Sequence, residues 1–451
     1  MSDIDYPTAT AGDLVSALAE RRIGALELTD IAIARIEAVD GPINAVVVRD
    51  FDRARDAARA ADAALARGER RPLLGLPMTV KESHNVAGLR TSWGVEMFGH
   101  WIAPEDSVGV ARLKAAGAVI LGKTNVPPML ADWQADNPIY GRANNPLDLA
   151  RTPGGSSGGG AAALAAGMVA LEFGSDIGGS IRVPAAFCGV FGHKPSQGII
   201  PTRGHAPPGA DGAAIPLAVV GPLARTAADL ERALDVLAGP DADEAAGWRL
   251  DLPAARHGRL GDYRVLLLTA HPLAAVDDEI VAALDALGGR LSAAGATVVR
   301  ESAALPDLAA MHQTYMTLLG ALTNSPEKAA APDAVKAGAY IMALHAQAVF
   351  RRQWAALFET VDVVIAPCFG SGAFAHMRPE EGTLPINGRP EPRLSQMAWA
   401  GLASLPNLPA TALPIGRFAG GLPIGAQVIG PYLEDRTTIG FAGLVARGLG
   451  G

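Results

Sequence analysis

The spacing of apolar residues changes from helical near the start of the chain to short apolar runs further on. Residues 12–40 have apolar positions at helical spacing with a break at Gly24, which predicts two helices. Residues 51–68 predict a third helix that ends at Gly68. Beyond them, apolar runs at 73–80, 118–122 and 169–174 alternate with helical stretches such as 107–116. This alternation is typical of an α/β protein whose sheet is largely buried.

The second half of the chain continues the alternation. Helices are predicted over 226–238 and 278–295, and strands over 264–270, 409–416 and 422–430. The segments 199–215 and 368–393 are rich in glycine and proline without periodicity, so we expect loops there, the first as a mobile cover over a pocket. Because no repeat or linker interrupts the pattern, we expect one domain over 1–451. It would comprise a helical wrap (about 1–70), a catalytic core (about 71–230) and a remainder (about 231–451).

Composition and charge exclude several classes of protein. The 451 residues are 49% hydrophobic and 19% charged, which is the opposite of a disordered chain. A net charge of −8 without a basic cluster argues against a nucleic-acid partner. Cys188 and Cys368 stand far apart, so we expect buried thiols in a reducing compartment rather than a disulfide. The nine histidines show no metal-ligand spacing, so no metal site is expected.

The termini and the apolar stretches favour a cytoplasmic protein. The first ten residues, MSDIDYPTAT, lack the basic and apolar parts of a signal peptide. The longest weakly polar stretch, 158–171, is shorter than the ~18 residues of a membrane span. We therefore expect no membrane partner. A homodimer is among the assemblies that the sequence allows.

The candidate chemistry lies in the segment 151–182, where residues 154–160 are only glycine or serine. A phosphate loop does not fit, because neither GxxxxGK[ST] nor GxGxxG occurs. The residues GGSSG fit the GxSxG motif of the nucleophile elbow in Ser-His-Asp esterases. That elbow must follow a buried strand, however, and the residues before it here are polar and include prolines. A third interpretation joins two serine loops. A helix over 158–167 and a strand over 168–173 have similar lengths, so the strand would return Ser180 to Ser156.

Two serines without a histidine need another base, and Lys81 is the candidate. It ends the apolar run GLPMTVK, where a strand leaves a buried sheet. Burial would lower the pKa of this lysine, and a neutral amine can accept a proton from a serine hydroxyl. The turn formed by Ile177, Gly178 and Gly179 would supply adjacent N–H groups, the usual form of an oxyanion hole.

These segments resemble the amidase signature family. The matching motifs are GLPMTVKES, GKTNVP, NPIYGRANNP, TPGGSSGGG, GSDIGGSIRVPAAFCGVFGHKP, VVGPLARTAADL and GLPIGAQVIG, in order from about residue 12 to about residue 445. The resemblance implies an α/β fold: a single large domain whose mixed central sheet is covered by helices on both faces. It also implies a Ser-cisSer-Lys triad, with Lys81 as the base, Ser156 as the bridging serine after a cis peptide bond, and Ser180 as the nucleophile.

The resemblance implies a hydrolase that cleaves a C–N bond of an aryl or alkyl amide or a carbamate, with esters also allowed, through an acyl-enzyme. No cofactor is required. Asp176 is expected to cap the oxyanion turn, and Arg182 to pair with an acidic neighbour. Candidate pocket residues are Met129, Gln134 and Tyr140, together with Trp133.

Departures from the family pattern bear on the substrate. Pro128 and Met129 stand where many members have glutamate and phenylalanine, so the nearby pocket wall differs. The segment SIRVP lacks the glutamine that follows the arginine in the glutamine-hydrolysing components of amidotransferases, which weakens that alternative. The preferred substrate is a small neutral amide or carbamate.

Overall fold

Three helices begin the chain, as the spacing of apolar residues predicts. The structure, a computed structural model, describes residues 4–210, 214–322, 331, 334–378 and 380–449. The helices are α1 (Ala11–Ala19), α2 (Ala25–Ile43) and α3 (Phe51–Ala66). Gly24 has an extended conformation and is the residue before α2, which explains the predicted break.

A large mixed sheet forms the centre of the molecule. Its strands and those of two small hairpins are β1 (Val46–Arg49), β2 (Pro77–Lys81), β3 (Val119–Thr124), β4 (Asp136–Asn137), β5 (Gly141–Arg142), β6 (Leu171–Asp176), β7 (Phe191–Lys194), β8 (Val219–Ala224), β9 (Arg264–Leu267), β10 (Thr297–Val299), β11 (Val363–Pro367), β12 (Thr383–Ile386), β13 (Arg389–Pro392), β14 (Ala410–Arg417) and β15 (Pro423–Ile429). Within the described residues, eleven strands join in the order β1-β3-β2-β6-β8-β7-β14-β15-β11-β9-β10.

The sheet contains both parallel and antiparallel pairs. Strand β2 runs parallel to β3 and β6, whereas β6 pairs antiparallel with β8. The N-terminal wrap is not purely helical, because β1 adds an antiparallel edge strand beside β3. The segment 368–393 is likewise not only loop, since β12 and β13 form a hairpin there.

The remaining helices lie along the rest of the chain: α4 (Val108–Ala115), α5 (Gly158–Ala165), α6 (Arg182–Cys188), α7 (Ala227–Leu237), α8 (Asp278–Ala293), α9 (Leu308–Leu322), α10 (Ala337–Thr360), α11 (Met397–Ser404) and α12 (Asp435–Leu449). The helices predicted over 226–238 and 278–295 correspond to α7 and α8. Among the described helices, none is long and apolar enough to cross a bilayer.

Helices cover the sheet on both faces, as the resemblance implies. Along β9, Val265 and Leu267 join one hydrophobic core, while Leu266 joins a second core on the opposite face. This alternation follows from the two-residue period of a strand. The first core includes α8, and the second includes α9 and α10. Cys188 and Cys368 are buried free thiols, as expected.

The loop 199–215 begins in the hydrophobic core and packs against the start of α4 rather than lying in solvent. Ile199 and Ile200 are buried, and a Cβ on Gly204 would come within 2.5 Å of Ser107 Cα. Residues 211–213, in the middle of the expected cover, lie outside the described residues. The mobility of this loop therefore stays a prediction.

Candidate active site

Two loops that contain serines lie side by side. The first serine loop, with Ser156 and Ser157, precedes α5, and the second serine loop, with Ser180, follows β6. Helix α5 leads away from Ser157, and β6 returns to the loop that holds Ser180. The backbone N–H of Ser157 donates to the carbonyl oxygen of Ser180 at 3.1 Å. The Ser157 hydroxyl donates to the carbonyl oxygen of Ser175 at 3.3 Å. The predicted approach of residues far apart in the sequence is therefore present.

Lys81 lies at the end of β2 and points at the first serine loop. Its Nζ donates to Ser156 Oγ at 2.7 Å and to Ser175 Oγ at 2.9 Å. The peptide bond between Gly155 and Ser156 is cis. The Lys81 side chain is fully buried, and burial lowers its pKa to about 7 against the attraction of nearby carboxylates. Lys81 can thus be neutral near neutral pH.

Two other buried lysines have different surroundings. Lys194 Nζ donates to the carbonyl oxygens of Pro195 and Leu408. Lys123 Nζ donates to the carbonyl oxygen of Arg90 and the hydroxyl of Thr91. Neither of these contacts involves a serine loop. Burial alone therefore does not distinguish Lys81, whereas its contact with Ser156 does.

A buried ion pair braces the second serine loop. Arg182 Nη2 lies 2.9 Å from Asp176 Oδ1, and both side chains are almost wholly buried. Asp176 also accepts the N–H of Gly179 at 2.9 Å and that of Ile181 at 3.0 Å. Burial by itself would raise the pKa of Asp176, but Arg182 and the hydrogen bond from the Ile181 N–H lower it to about 2. The expected capping role of Asp176 and pairing of Arg182 both appear in this geometry.

Of the three N–H groups that the sequence suggests as oxyanion donors, fewer than three are free to bind a ligand. Because the N–H of Gly179 donates to Asp176, it is not free for a ligand. The N–H groups of Ile177 and Gly178 donate no hydrogen bond within the described part of the chain, so they can serve as donors. Ser180 Oγ has no hydrogen-bond partner among the described side chains and backbone groups, and its N–H is unpaired there too.

Two aromatic residues fix the planes of this turn. The Tyr315 hydroxyl donates to the carbonyl oxygen of Ile177 at 2.8 Å, and Trp133 Nε1 donates to that of Gly178 at 2.9 Å. A peptide group is planar, so holding the Ile177 carbonyl also sets the direction of the Gly178 N–H. Met397 lies beside the same turn, where its sulfur would be 3.1 Å from a Cβ on Gly178.

The three pocket candidates from the sequence have other contacts. The Gln134 amide is hydrogen-bonded at both ends to the backbone of Met377, and Met129 is half exposed. The Tyr140 hydroxyl donates to Glu82 Oε1 at 3.0 Å. Among the described residues, no hydrogen bond joins any of these three side chains to Ser156, Ser157, Ser180 or Lys81. Of the three, Gln134 lies beside the first loop, since its backbone would crowd a Cβ on Gly155.

Sequence reasoning missed several contributors. Ser175 lies within the motif GSDIGG, so its position one residue before Asp176 was the available signal. Tyr315 and Met397 are on α9 and α11, more than a hundred residues beyond the turn, and no local pattern marks them. Only the packing of these helices on the second core places them at the site.

A Ser-His-Asp arrangement does not form around the loop serines. Within the described residues, no histidine hydrogen-bonds to Ser156, Ser157 or Ser180. His205 pairs with a different serine, Ser83, at 3.0 Å. In that same part of the chain, no cluster of three or more His, Cys, Asp or Glu is arranged to hold a metal ion.

Comparison with known proteins identifies the family of this chain. A sequence profile of the Amidase family matches residues 27–326 and 323–439. The chain is 32% identical to one component of the glutamyl-tRNA(Gln) amidotransferase of Roseiflexus sp. (strain RS-1), over 95% of this chain and 94% of that protein. It is 33% identical to AmiB2 of Mycobacterium bovis, over 98% of this chain and 96% of that protein.

A solved structure gives the same picture for the fold. A bacterial aryl acylamidase that belongs to the amidase signature enzymes superposes with a TM-score of 0.84 at 25% identity. The match covers 97% of this chain and 96% of that one. The likeness therefore extends over nearly the whole length of both proteins.

Proposed function

The chain belongs to the amidase signature family and is an amidase that acts on C–N bonds, and from this premise we propose that Ser180, Ser156 and Lys81 form its catalytic triad. The observation that carries the proposal is the 2.7 Å hydrogen bond from a fully buried Lys81 to Ser156, beside the loop of Ser180. A buried lysine in contact with a hydroxyl can act as a base if it is neutral.

In the proposed reaction, Ser180 Oγ attacks the carbonyl carbon while its proton passes to Ser156. Ser156 in turn gives its own proton to the neutral amine of Lys81. When the C–N bond breaks, the same relay returns a proton to the leaving nitrogen and an acyl- or carbamoyl-serine remains. Water then releases the acid or carbamic acid by the same steps. Lys81 ends each half-reaction neutral, so protons balance over the cycle.

The developing oxyanion would be held by the N–H groups of Ile177 and Gly178, with that of Ser180 beside them. These groups are unpaired within the described residues, whereas the N–H of Gly179 is used by Asp176. Preorganised donors of this kind stabilise the transition state by ~2.7–4 kcal/mol each. Gly179 therefore contributes to the shape of the turn, and not to the donor set that the sequence suggested.

We favour a small neutral amide or carbamate as the substrate. Apart from Asp176, whose charge is paired with that of Arg182, the side chains that contact the oxyanion turn include Trp133, Tyr315 and Met397, which carry no charge at neutral pH. An uncharged wall of this kind suits an aryl or alkyl group, because burying an unpaired charge there would be costly. The aryl acylamidase neighbour points to the same class.

A serine-directed fluorophosphonate probe tests the assignment. We expect mass spectrometry to find the label on Ser180, and Ser180→Ala to lose both the label and amide hydrolysis. Ser83→Ala is the matched control, because Ser83 is also buried but contacts His205 rather than Lys81. Labelling of Ser156 or Ser157, or full activity in Ser180→Ala, would contradict the proposal.

A second candidate is the glutamine-hydrolysing component of an amidotransferase complex. The 32% identity over 95% of the chain to one component of such a complex favours it. Val183 after Arg182 argues against it, since the glutamine common in those proteins is missing there. Ammonia release from glutamine by the purified chain, or with a co-purifying partner, would support this candidate. Turnover of an anilide or carbamate without any response to glutamine would exclude it.

A further inference from the structure

A buried carboxyl group lies under the triad and has no assigned role. Glu172 is on β6, is fully buried, and accepts hydrogen bonds from the hydroxyls of Thr79 and Thr124. Strand pairing sets Thr79 opposite Glu172 and Thr124 opposite Lys81. Since residues two apart in a strand share a face, Thr79 and Lys81 face the same side as Glu172.

Among the described residues, Lys81 is the positively charged neighbour of Glu172. Glu172 is covered by α5, where a Cβ on Gly160 would meet it, and α5 contains only glycine, alanine and leucine. The neighbouring strand β8 also has no titratable residue. Burial raises the pKa of Glu172 to about 7, and among the described residues the charge that opposes this shift and favours the ionised carboxylate is that of Lys81. The two threonines satisfy the hydrogen bonds of Glu172 but cannot neutralise its charge.

Around Lys81, the other charged neighbours already have partners. Asp176 is paired with Arg182 at 2.9 Å. Lys123 lies on the adjacent strand, and the carboxylate whose charge affects its pKa is Glu82 rather than Glu172. The pKa values of His84 and His205 are lowered by burial, so both rings are neutral at neutral pH. Of the two carboxylates whose charge acts on Lys81, Asp176 has the larger effect but is already paired with Arg182. Glu172 is the second, and it has no ion pair of its own among the described residues.

We propose that Glu172 is a positioning residue of the amidase reaction, the counter-charge for the ammonium that Lys81 becomes when it accepts the proton of Ser180 through Ser156. Glu172 neither gives nor takes a proton in this step. The carboxylate stabilises the cation formed during attack, and the cation disappears when the proton goes on to the leaving nitrogen. This inference rests on the proposed function, because it requires Lys81 to be the base.

The test is the pH dependence of kcat/KM for Glu172→Gln, measured with a neutral anilide or carbamate. The amide keeps the shape and an acceptor for the threonines but removes the charge. Without the carboxylate, Lys81 holds its proton less tightly, so the midpoint of the acid limb should fall by about one pH unit. The plateau at high pH should also fall, by about tenfold, because the transient cation is less stabilised. A residue needed only for packing would lower the rate without moving the midpoint.

Glu82→Gln is the matched control, since Glu82 is also a buried carboxylate and follows Lys81 in the sequence, but its charge acts on Lys123. In this variant the midpoint of the acid limb should not move. If Glu172→Gln does not fold, Thr124→Val serves instead. It removes a hydrogen bond that favours the carboxylate and should shift the midpoint in the same direction, whereas Thr124→Ser should not. An unmoved midpoint in a folded Glu172→Gln, or in Thr124→Val, would overturn the inference. Full activity in Lys81→Ala would instead overturn the proposed function itself.

Discussion

The protonation of Lys81 should set the rate of this enzyme near neutral pH. Burial lowers the pKa of Lys81 to about 7, and only the neutral amine can accept the proton relayed by Ser156. At that pKa, about nine tenths of the amine is neutral at about pH 8 and about one tenth at about pH 6. As the pH falls, the base is lost. We therefore expect kcat/KM to rise about tenfold from pH 6 to its plateau.

The assay is the initial rate of nitroaniline release from a nitroanilide at substrate concentrations far below KM. This condition reports kcat/KM, and therefore the ionisation of the free enzyme. Circular dichroism at each pH separates titration from unfolding.

The midpoint of this pH profile reports two groups. Burial also raises the pKa of Glu172 to about 7, so the midpoint belongs to the coupled pair of Lys81 and Glu172 rather than to Lys81 alone.

A control must show that the rise of kcat/KM with pH does not come from the titration of a histidine. The pKa of His205 is lowered by burial to about 3, so His205→Gln should leave the midpoint unchanged. Two results would refute the reasoning. One is a kcat/KM that stays constant from about pH 6 to about pH 9. The other is a Lys81→Met variant that keeps substantial activity with the same limb.

Two further predictions concern the groups that hold the oxyanion turn. Tyr315→Phe removes the hydroxyl that holds the Ile177 carbonyl and thereby the direction of the Gly178 N–H, so kcat should fall about tenfold with little change in KM. Tyr263→Phe, which removes a hydroxyl that donates to the carbonyl oxygen of His257 instead, should leave kcat unchanged, and equal losses in both variants would contradict this role. Asp176→Asn leaves Arg182 as an uncompensated buried cation, so urea denaturation should show a loss of about 3–5 kcal/mol in unfolding free energy. A loss below about 1 kcal/mol would mean that the ion pair does not brace the loop.

The local elements of this protein follow from its sequence. The break at Gly24, the helices α7 and α8, and the strands β9, β14 and β15 all lie where apolar spacing predicts them. These elements are marked by a helical spacing of apolar residues or by an apolar run, so local preference and burial agree. Elements such as β1 and the hairpin of β12 and β13 were missed. β1 is a short run between two helices, and the hairpin strands TLPI and RPEP contain prolines and lie in a glycine- and proline-rich segment, so no apolar run marks them.

The sequence alone also singled out the residues of the proposed triad, since the glycine-serine run, the motif of Ser180 and the strand-end Lys81 can all be recognised without coordinates. Only the tertiary structure decided which N–H groups are free. The carboxylate of Asp176 takes the N–H of Gly179, and side chains from distant helices hold the neighbouring carbonyls. The strand register likewise places Glu172 and Lys81 on the same face of the sheet, and no local pattern in the sequence predicts this. Hydrogen bonds and charge pairs between segments far apart in sequence depend on packing, and no local preference encodes them.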